Sequence, residues 1–294
     1  MQAACLPYPE GVQRVCFFHA GCPDGFGAAW AVRGAWGEEG RYEPRGHDDE
    51  LPLADLRDAT VAFVDMAPRN AALRALARVA ARIVVLDHHV SSRDRFEADA
   101  ALAASLRAEG HLVRFDLERS GAALAWDHFH PGEPLPELLA YVEDQDLWRW
   151  KLPRSREVNA ALGSHRQAFD VWDRLAALPV ELLADEGVPI LRAQRRDVER
   201  ALATAQPIWI GDLRVEAVNA AYERAQIGHE LAERAAYGAP CGAVYRLSGR
   251  RVDVSLYSIG DFDVAAIAAR YGGGGHRNAA GFTVALDAWA AEIA

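Results

Sequence analysis

The chain has 294 residues, 51% of them hydrophobic and 25% charged, which is near the average for globular domains and excludes a fibrous or wholly disordered protein. At this length two ordinary domains are a better expectation than one. The 32 basic and 42 acidic residues give a net charge of −10, which argues against a protein that neutralises many phosphates of long duplex nucleic acid. The net charge does not exclude short or small anionic ligands, because a divalent metal can supply positive charge locally.

The cysteines and the N-terminal segment predict a protein of a reducing compartment. The four cysteines form no CxxC pair and no ladder of the kind that staples small secreted domains. The first ten residues carry no Lys or Arg ahead of an apolar stretch, and no run approaches 18 apolar residues. We therefore expect a cytoplasmic protein that does not engage membranes and is a monomer or a homodimer.

The first half of the chain alternates short β-rich runs with Ala/Leu/Arg-rich stretches that have helical periodicity. This alternation predicts βαβ units and a parallel sheet covered by helices. Beyond residue 135 the chain is predicted to be mostly helical to about residue 205. The predicted strands are 14–18, 60–65, 82–87 and 112–117, and the predicted helices are 26–35, 70–81 and 121–129.

A polar, Arg/Glu-rich segment at 190–205 with a thin apolar stripe suits a connecting helix, and β-rich runs return after it. We therefore predict an α/β fold with a parallel-sheet domain at 12–188, a connecting helix at 189–206 and a smaller mixed-sheet α/β domain at 207–294. The strands predicted in the second domain are 208–210, 214–218, 242–247, 252–256 and 282–286, and its helices are 224–236 and 264–271.

Polar residues follow three of the predicted strands of the first domain. The carboxyl ends of parallel strands lie on one edge of a sheet, where α/β proteins bind ligands, so these residues are expected to converge. A single Asp in such a place is usually a helix cap or a turn residue, but three clusters together indicate a site. They comprise His19, Cys22 and Asp24 after the first strand, Asp65 after the second, and Asp87, His88 and His89 after the third.

The residue types in these clusters indicate metal chemistry. Carboxylate oxygen with imidazole nitrogen suits Mn²⁺ or Mg²⁺, and also Fe²⁺, Co²⁺ or Zn²⁺. A carboxylate-rich cluster suits two metals roughly 3.5–4 Å apart, which can clamp the attacking and leaving oxygens of a phosphate ester. His88 and His89 cannot both point the same way from a short loop, so one is expected to bind metal while the other faces substrate or supports the site.

Two further segments carry chemistry. The acidic, Trp-containing run at 141–150 is either an amphipathic helix with solvated acids or the source of a closing metal ligand, Asp144 or Asp146, and spacing does not decide between these two. The run at 271–281 has four glycines followed by His276 and Arg277. It is either a flexible surface turn or a phosphate-binding loop, because glycines let backbone N–H groups approach an anion closely and the two side chains add donors for phosphate oxygens.

The ordered set of motifs resembles the DHH phosphoesterase superfamily with its DHH-associated C-terminal domain. The set is the first His/Asp cluster, Asp65, Asp-His-His after an apolar strand, and GGGGHRNAAGF near the C-terminus, and it spans roughly residues 14–286. The segment Asp-Leu-Trp-Arg-Trp is similar to the Asp-x-Trp-x-Trp of one nano-RNase branch, which favours Asp146 as the third acidic ligand. The resemblance implies an active site in the cleft between the two domains.

The resemblance also implies roles for individual residues. Asp65 is expected to bridge a pair of Mn²⁺ ions, for which Mg²⁺, Co²⁺ or Zn²⁺ are substitutes. Asp87, His89 and His276 are expected to support catalysis. The implied metal ligands are His19, Asp24, Asp65, His88 and Asp146, with Cys22 at the edge of the first metal site; the implied phosphate-binding residues are Gly273, Gly274, Gly275, His276 and Arg277.

Two departures from the family pattern bear on these expectations. Cys22 stands where many relatives have an Asp. If its sulfur takes the ligand place, the first metal is expected to be held more weakly, or the site to prefer a softer ion; otherwise Cys22 is a small buried residue of the turn. Tyr257, in Ser-Leu-Tyr-Ser, stands where relatives often carry an arginine. This second departure weakens the inference of nano-RNase substrates.

We therefore expect a metal-dependent phosphohydrolase that cleaves phosphate esters of short single-stranded oligonucleotides or small nucleotides, exonuclease-like, by a two-metal hydroxide mechanism. One alternative is a phosphatase or pyrophosphatase that acts on a terminal phosphate or polyphosphate. Another is a nucleotide-binding regulator with weak turnover, motivated by Cys22 and Tyr257.

Overall fold

A computed structural model describes residues 11–46 and 49–292, so Cys5 and the first ten residues, considered above for a targeting signal, lie outside it. The chain divides into two compact units that meet between Leu191 and Arg192. Within the described part of the chain, no helix is both long and apolar enough to cross a membrane.

The first unit is built on five strands and a set of helices that follow them. Its strands are β1 (Arg14–His19), β2 (Arg41–Arg45), β3 (Thr60–Val64), β4 (Arg82–Asp87) and β5 (Leu112–Phe115). Its helices are α1 (Pro23–Trp36), α2 (Asn70–Ala77), α3 (Val90–Glu97), α4 (Ala100–Ala108), α5 (Gly121–Phe129), α6 (Glu137–Asp146), α7 (Ser155–Ser164) and α8 (Phe169–Ala176), followed by α9 (Val180–Leu202), which continues past the unit boundary.

The five strands form one parallel sheet in the order β2-β1-β3-β4-β5, which confirms the predicted parallel sheet. Apolar residues point alternately to its two faces. Cys16 and Val64 join the core under α1, whereas Phe17 and Phe63 join the core under α2. The connections from β1 and β3 thus leave to opposite faces, and such a reversal opens a crevice at the carboxyl ends of the two neighbouring strands.

The second unit is a mixed sheet with helices on its faces, as the sequence predicted. Its strand order is β10-β11-β9-β8-β7-β6, in which β7 and β8 are parallel and the other neighbours are antiparallel. Its strands are β6 (Gln206–Ile210), β7 (Leu213–Asn219), β8 (Cys241–Ser248), β9 (Arg251–Ser258), β10 (Gly274–His276) and β11 (Ala279–Ala285), and its helices are α10 (Arg224–Arg234), α11 (Val264–Arg270) and α12 (Leu286–Glu292).

The structure corrects several element predictions. The edge strand β2 was not predicted, and neither were α3, α4 or α12. The last strand ends at Ala285, because Leu286 begins α12. The glycine-rich segment, predicted as a loop, includes the three-residue strand β10, because Gly274, Gly275 and His276 pair with β11.

Candidate functional site

Three neighbouring strands bring the first-unit candidates to one edge of the sheet. The register pairs Phe18 with Val64 and Val64 with Leu86, so the residues that follow them, His19, Asp65 and Asp87, stand side by side at the carboxyl ends of β1, β3 and β4. This is the point at which the connections diverge to opposite faces of the sheet. The fold alone therefore collects residues that are up to 68 positions apart in sequence, from His19 to Asp87.

Asp65 lies at the centre of this cluster. It is 1% exposed, and its Oδ1 lies 3.0 Å from Nε2 of His88 while its Oδ2 lies 3.3 Å from Nδ1 of His19. Its backbone has a φ of 58°, a left-handed conformation that Asp tolerates better than most residues. Burial alone would raise its pKa, but the hydrogen bonds to His19 and His88 hold the pKa of Asp65 well below its usual range. Asp65 is therefore an ionised carboxylate between two imidazoles.

Asp24 is held by the start of another helix. It is 2% exposed, and its two carboxylate oxygens accept hydrogen bonds from the backbone N–H groups of Gly121 (2.7 Å) and Ala122 (3.0 Å), the first residues of α5. A helix N-terminus favours a carboxylate. Burial and the carboxylates of Asp146 and Asp65 nevertheless raise the pKa of Asp24 well above its usual range. Negative charge is thus crowded around this residue.

The two histidines of the Asp-His-His motif are oriented differently, as predicted for adjacent residues of a short loop. Nε2 of His88 lies 3.0 Å from Asp65, whereas Nδ1 of His89 lies 2.7 Å from Oδ1 of Asp87. The same Asp87 oxygen also accepts the backbone N–H groups of His88 (2.8 Å) and His89 (3.2 Å), so Asp87 fixes the turn. Burial opposes protonation of His88, but Asp65 and then Asp146 raise its pKa to about 10.

The structure separates the two acids between which spacing could not decide. Asp146, the last residue of α6, has a side chain that is 29% exposed, and its Oδ2 lies 3.5 Å from Nε2 of His88. Asp144 is 5% exposed, and its carboxylate accepts the backbone N–H groups of Lys151 (2.9 Å) and Leu152 (3.2 Å). Asp144 therefore holds the segment after α6 in place, and Asp146 is the acid that reaches the cluster.

Cys22 lies in the cluster and also caps a helix. Its Sγ accepts the backbone N–H of Gly25 (3.2 Å) at the start of α1, and it lies 3.3 Å from Oδ2 of Asp65 and 3.4 Å from Nδ1 of His19. Burial, followed by the neighbouring carboxylates of Asp65 and Asp24, raises the pKa of the thiol well above its ordinary value. The thiol is therefore a hydrogen-bond donor to Asp65.

Among the described residues of the first unit, two groups of three side chains offer donor atoms that lie within 4.8 Å of one another. One group is His19, Asp65 and His89, and the other is Asp24, His88 and Asp146. Asp65 links them, because its Oδ1 contacts His88 of the second group. Oxygen and imidazole donors of this kind suit Mn²⁺ and similar divalent ions, and crowded carboxylates with raised pKa values favour a bound cation. The residues present therefore fit a two-ion centre.

Gly121 is a site residue that the sequence analysis missed. A Cβ atom on Gly121 would lie 2.4 Å from Cβ of Asp65, and the Gly121 N–H is one of the two that bind Asp24. This glycine thus lets α5 begin between the two carboxylates. The local signal is Ser120 ahead of an alanine-rich run, which is the pattern of a helix N-cap, and its Oγ does accept the N–H of Ala123.

A cavity of about 380 Å³ adjoins the same edge of the sheet. Its wall includes Met66 and Pro68 from the loop after Asp65, and Arg45 at the end of β2. The lining is mostly apolar, with Arg45 and Arg69 as cationic members; it also contains Gly46, Asp49, Glu50, Leu51, Leu53, Phe63, Ala71 and Ala72.

The predicted phosphate-binding residues lie in the second unit, in a tight hairpin. A Cβ on Gly273 would lie 2.0 Å from the carbonyl oxygen of Gly281, and Gly275 has a φ of 145° with Ala279 O only 2.5 Å from a built Cβ. Both positions therefore require glycine for packing, whatever else they do. Arg277 is exposed and its Nη1 lies 3.1 Å from Asp261.

Comparisons with known proteins give a sequence relative and a number of structural neighbours. No family model matches the chain. It is 27% identical over 288 residues to an uncharacterized protein, R106, of Acanthamoeba polyphaga mimivirus; the match covers 91% of this chain and 66% of that protein, so the chain spans somewhat less than two thirds of its relative.

The structural neighbours are remote. One is a pGpG-specific phosphodiesterase, PggH, from Vibrio cholerae, with a TM-score of 0.46, 12% identity and coverage of 94% of each chain. Another is an exopolyphosphatase-related protein from Bacteroides fragilis, with a TM-score of 0.42, 12% identity and coverage of 92% of this chain and 86% of that one.

Proposed function

We propose that the chain is a metal-dependent phosphohydrolase of the DHH type that cleaves phosphate esters of small nucleotides or short single-stranded oligonucleotides. The observation that carries this proposal is the pair of donor groups at the carboxyl edge of the parallel sheet, which the contact between Asp65 and His88 links. The order of motifs along the chain, which resembles DHH phosphoesterases, supports the same class.

The donor chemistry defines what each side chain would do. His19, Asp65 and His89 would hold one ion, and Asp24, His88 and Asp146 the other. When bound, such ions neutralise phosphoryl oxygens and favour the ionisation of water. Asp87 keeps the ring of His89 oriented through Nδ1, so any contact of His89 with an ion or a substrate would be made through Nε2.

The protonation states of the metal-free site support an exchange of protons for metal. The pKa of His88 is raised to about 10, against the effect of burial, by Asp65 and Asp146, so His88 carries a proton at neutral pH in the absence of metal. A metal ligand must be neutral imidazole, so binding would release that proton. Metal affinity is accordingly expected to rise with pH.

Polyphosphate is the rival substrate for an enzyme with the same centre, and the products of its hydrolysis differ from those of a nucleotide ester. The net charge of −10 favours a short ligand over long nucleic acid.

Hydrolysis of a substrate panel tests the proposal. Di- to decanucleotides, cyclic dinucleotides, phosphoadenosine phosphate and polyphosphate are incubated with the full chain and Mn²⁺, and products are separated by chromatography. Mononucleotides released from short oligonucleotides or dinucleotides support the proposal. Orthophosphate from polyphosphate alone would favour the rival, and absence of any Mn²⁺-dependent turnover would contradict enzymatic function.

A further inference from the structure

Arg224, the first residue of α10, is a cation whose hydrogen bonds are incomplete. It is half-buried, and Nη2 donates to Oγ of Ser255 at 2.6 Å. Its Nε is buried and has no hydrogen-bond partner among the described residues. A guanidinium has five N–H donors, and buried donors are normally paired. The position therefore offers unused donors beside a serine hydroxyl.

No carboxylate neutralises this guanidinium within the described parts of the chain. Asp253 acts on Arg224 electrostatically, but its Oδ2 lies 3.1 Å from Nε of Arg246 and its Oδ1 accepts the hydroxyl of Thr283 at 3.0 Å. Burial lowers the pKa of Arg224 below its ordinary value. A partly desolvated cation without a counter-ion is unfavourable, and an anionic ligand would relieve it.

The sheet register places other polar residues on the face that Arg224 reaches. Residues directly opposite each other in antiparallel strands share a face. Ser255 is paired with Gly281, and Gly281 with Gly274. In the next row on the same face, Tyr257 is paired with Ala279, and Ala279 with His276.

The middle of this face forms a shallow depression, because Gly281 has no side chain and that of Ala279 is a single methyl group. His276 lies two strands from Tyr257, about 10 Å at the usual spacing of strands. On the other side α10 packs against the face, since a Cβ on Gly228 would lie 1.9 Å from Cδ2 of Tyr257. The result is a shelf with Arg224 at one side and His276 at the other.

We propose that Arg224, with the hydroxyl of Ser255 and the adjacent Tyr257, forms an anion site on this shelf that binds a phosphoryl group of a nucleotide. The proposal rests on the proposed function for the identity of the ligand, and the site lies wholly within the second unit. It adds to the predicted phosphate contact of His276 a second cationic contact from a different element. Guanidinium donors suit phosphate oxygens, and a hydroxyl can donate to a third oxygen.

Binding to the metal-free full chain tests this site independently of catalysis. In the presence of EDTA, the affinities for 5′-AMP, adenosine and inorganic phosphate are measured by calorimetry, so that neither metal contacts nor hydrolysis contribute. The wild-type chain is expected to bind 5′-AMP more tightly than adenosine. Arg224→Gln is expected to weaken 5′-AMP binding by about tenfold or more, the typical effect of losing a charged hydrogen bond, and to leave adenosine binding unchanged.

The matched control is Arg270→Gln. Arg270 is an exposed residue of α11, which packs on the opposite face of the sheet, and it is paired with Asp212, so its loss is expected to change 5′-AMP affinity by less than about threefold. Ser255→Ala gives a second test that keeps the cation, with an expected intermediate loss. The proposal is overturned if the wild-type chain does not prefer 5′-AMP over adenosine, if Arg224→Gln and Ser255→Ala both bind 5′-AMP normally, or if Arg270→Gln loses as much affinity as Arg224→Gln.

A failure of the proposed function would have a different signature. The absence of Mn²⁺-dependent hydrolysis would contradict that function, while preferential binding of 5′-AMP that depends on Arg224 would still support the anion site. Conversely, if the chain hydrolyses its substrate but Arg224→Gln leaves its affinity for 5′-AMP unchanged, only the anion site is overturned.

Discussion

Substitution of Gly121 by Ala would disturb the centre of the site with a single methyl group. The new Cβ would lie 2.4 Å from Cβ of Asp65, 2.7 Å from its Cα and 2.8 Å from its Oδ1. Carbon atoms in contact are normally about 3.5–4.0 Å apart, so either Asp65 or the first turn of α5 must move by about 1 Å. The move is resisted on both sides, because the Gly121 N–H also binds Asp24.

We expect Gly121→Ala to destabilise the chain by about 1–3 kcal/mol, the usual cost of overpacking a filled interior. A displacement of about 1 Å in a catalytic group can cost on the order of 100-fold in rate. Turnover with Mn²⁺ and the free energy of unfolding in urea are measured together, so that the local and the global effects are separated.

Gly163→Ala is the matched control. Gly163 lies in α7, is exposed, and a Cβ there would meet nothing within 4 Å. Alanine is the better helix former, so this control should be stabilised by roughly 0.5–1 kcal/mol with activity unchanged. If Gly121→Ala matched the control in turnover and in stability, the packing argument for Asp65 would be refuted.

Three further predictions address neighbouring residues. Asp146→Asn should abolish Mn²⁺-dependent turnover while leaving the metal-free chain at least as stable in urea, because it removes a negative charge beside other carboxylates. Asp144→Asn should instead lower the free energy of unfolding by about 1–2 kcal/mol, because it weakens the hydrogen bonds to Lys151 and Leu152. The reverse outcome would exchange the roles of the two acids. Cys22→Asp should shift the activity ratio toward Mg²⁺ or Mn²⁺, and Cys22→Ser should lower the occupancy of one metal, measured by elemental analysis. Both variants keep a good N-cap for α1, because Ser and Asp cap helices well. Equal metal stoichiometry and equal metal preference in all three forms would make Cys22 a packing residue. Burial, with nearby arginines, lowers the pKa of His128 from 6.5 to about 4, so the unfolded chain takes up a proton at a higher pH than the folded chain and stability is lost as pH falls from 6.5 toward 4. Between pH 7.5 and 5, the free energy of unfolding in urea should therefore fall by about 2 kcal/mol more in the wild type than in His128→Phe. Equal losses in the two chains would contradict the shift.

The central strands of the first unit and the helix at Gly121–Phe129 could be predicted because each carries its signal locally. β1, β3 and β4 are apolar runs buried on both faces, which end in polar residues. β2 carries no such signal. Its sequence is polar, contains Pro44 and lies at the edge of the sheet, where few side chains need to be apolar.

β10 could not be predicted for a different reason, namely that its strand conformation comes from pairing. Two of its three residues are glycine, which has no local preference for a strand, and only the hydrogen bonds with β11 define it. The same is true of the site. The convergence of strand ends follows from topology, but the contact of Asp24 with α5 joins residues 97 positions apart and has no local signature.

The choice between Asp144 and Asp146 shows the limit of spacing arguments. Both lie in the last turn of α6, and they differ only in direction: one side chain accepts hydrogen bonds from the segment that follows, and the other reaches His88. Between Asp144 and the N–H groups that it binds, the chain takes left-handed conformations at Trp148 and Trp150, which no sequence pattern here predicts.

The Mn²⁺ stoichiometry of the wild-type chain and of Asp65→Asn tests the central claim most directly. Asparagine keeps the shape of Asp65 and tolerates its left-handed backbone, so the substitution removes the charge and one donor oxygen while the fold is preserved. At saturating Mn²⁺, elemental analysis is expected to find two ions per wild-type chain and fewer than one per Asp65→Asn chain, with turnover lost in the variant. Two tightly held ions in Asp65→Asn, or none in the wild type, would contradict a two-ion centre built on Asp65.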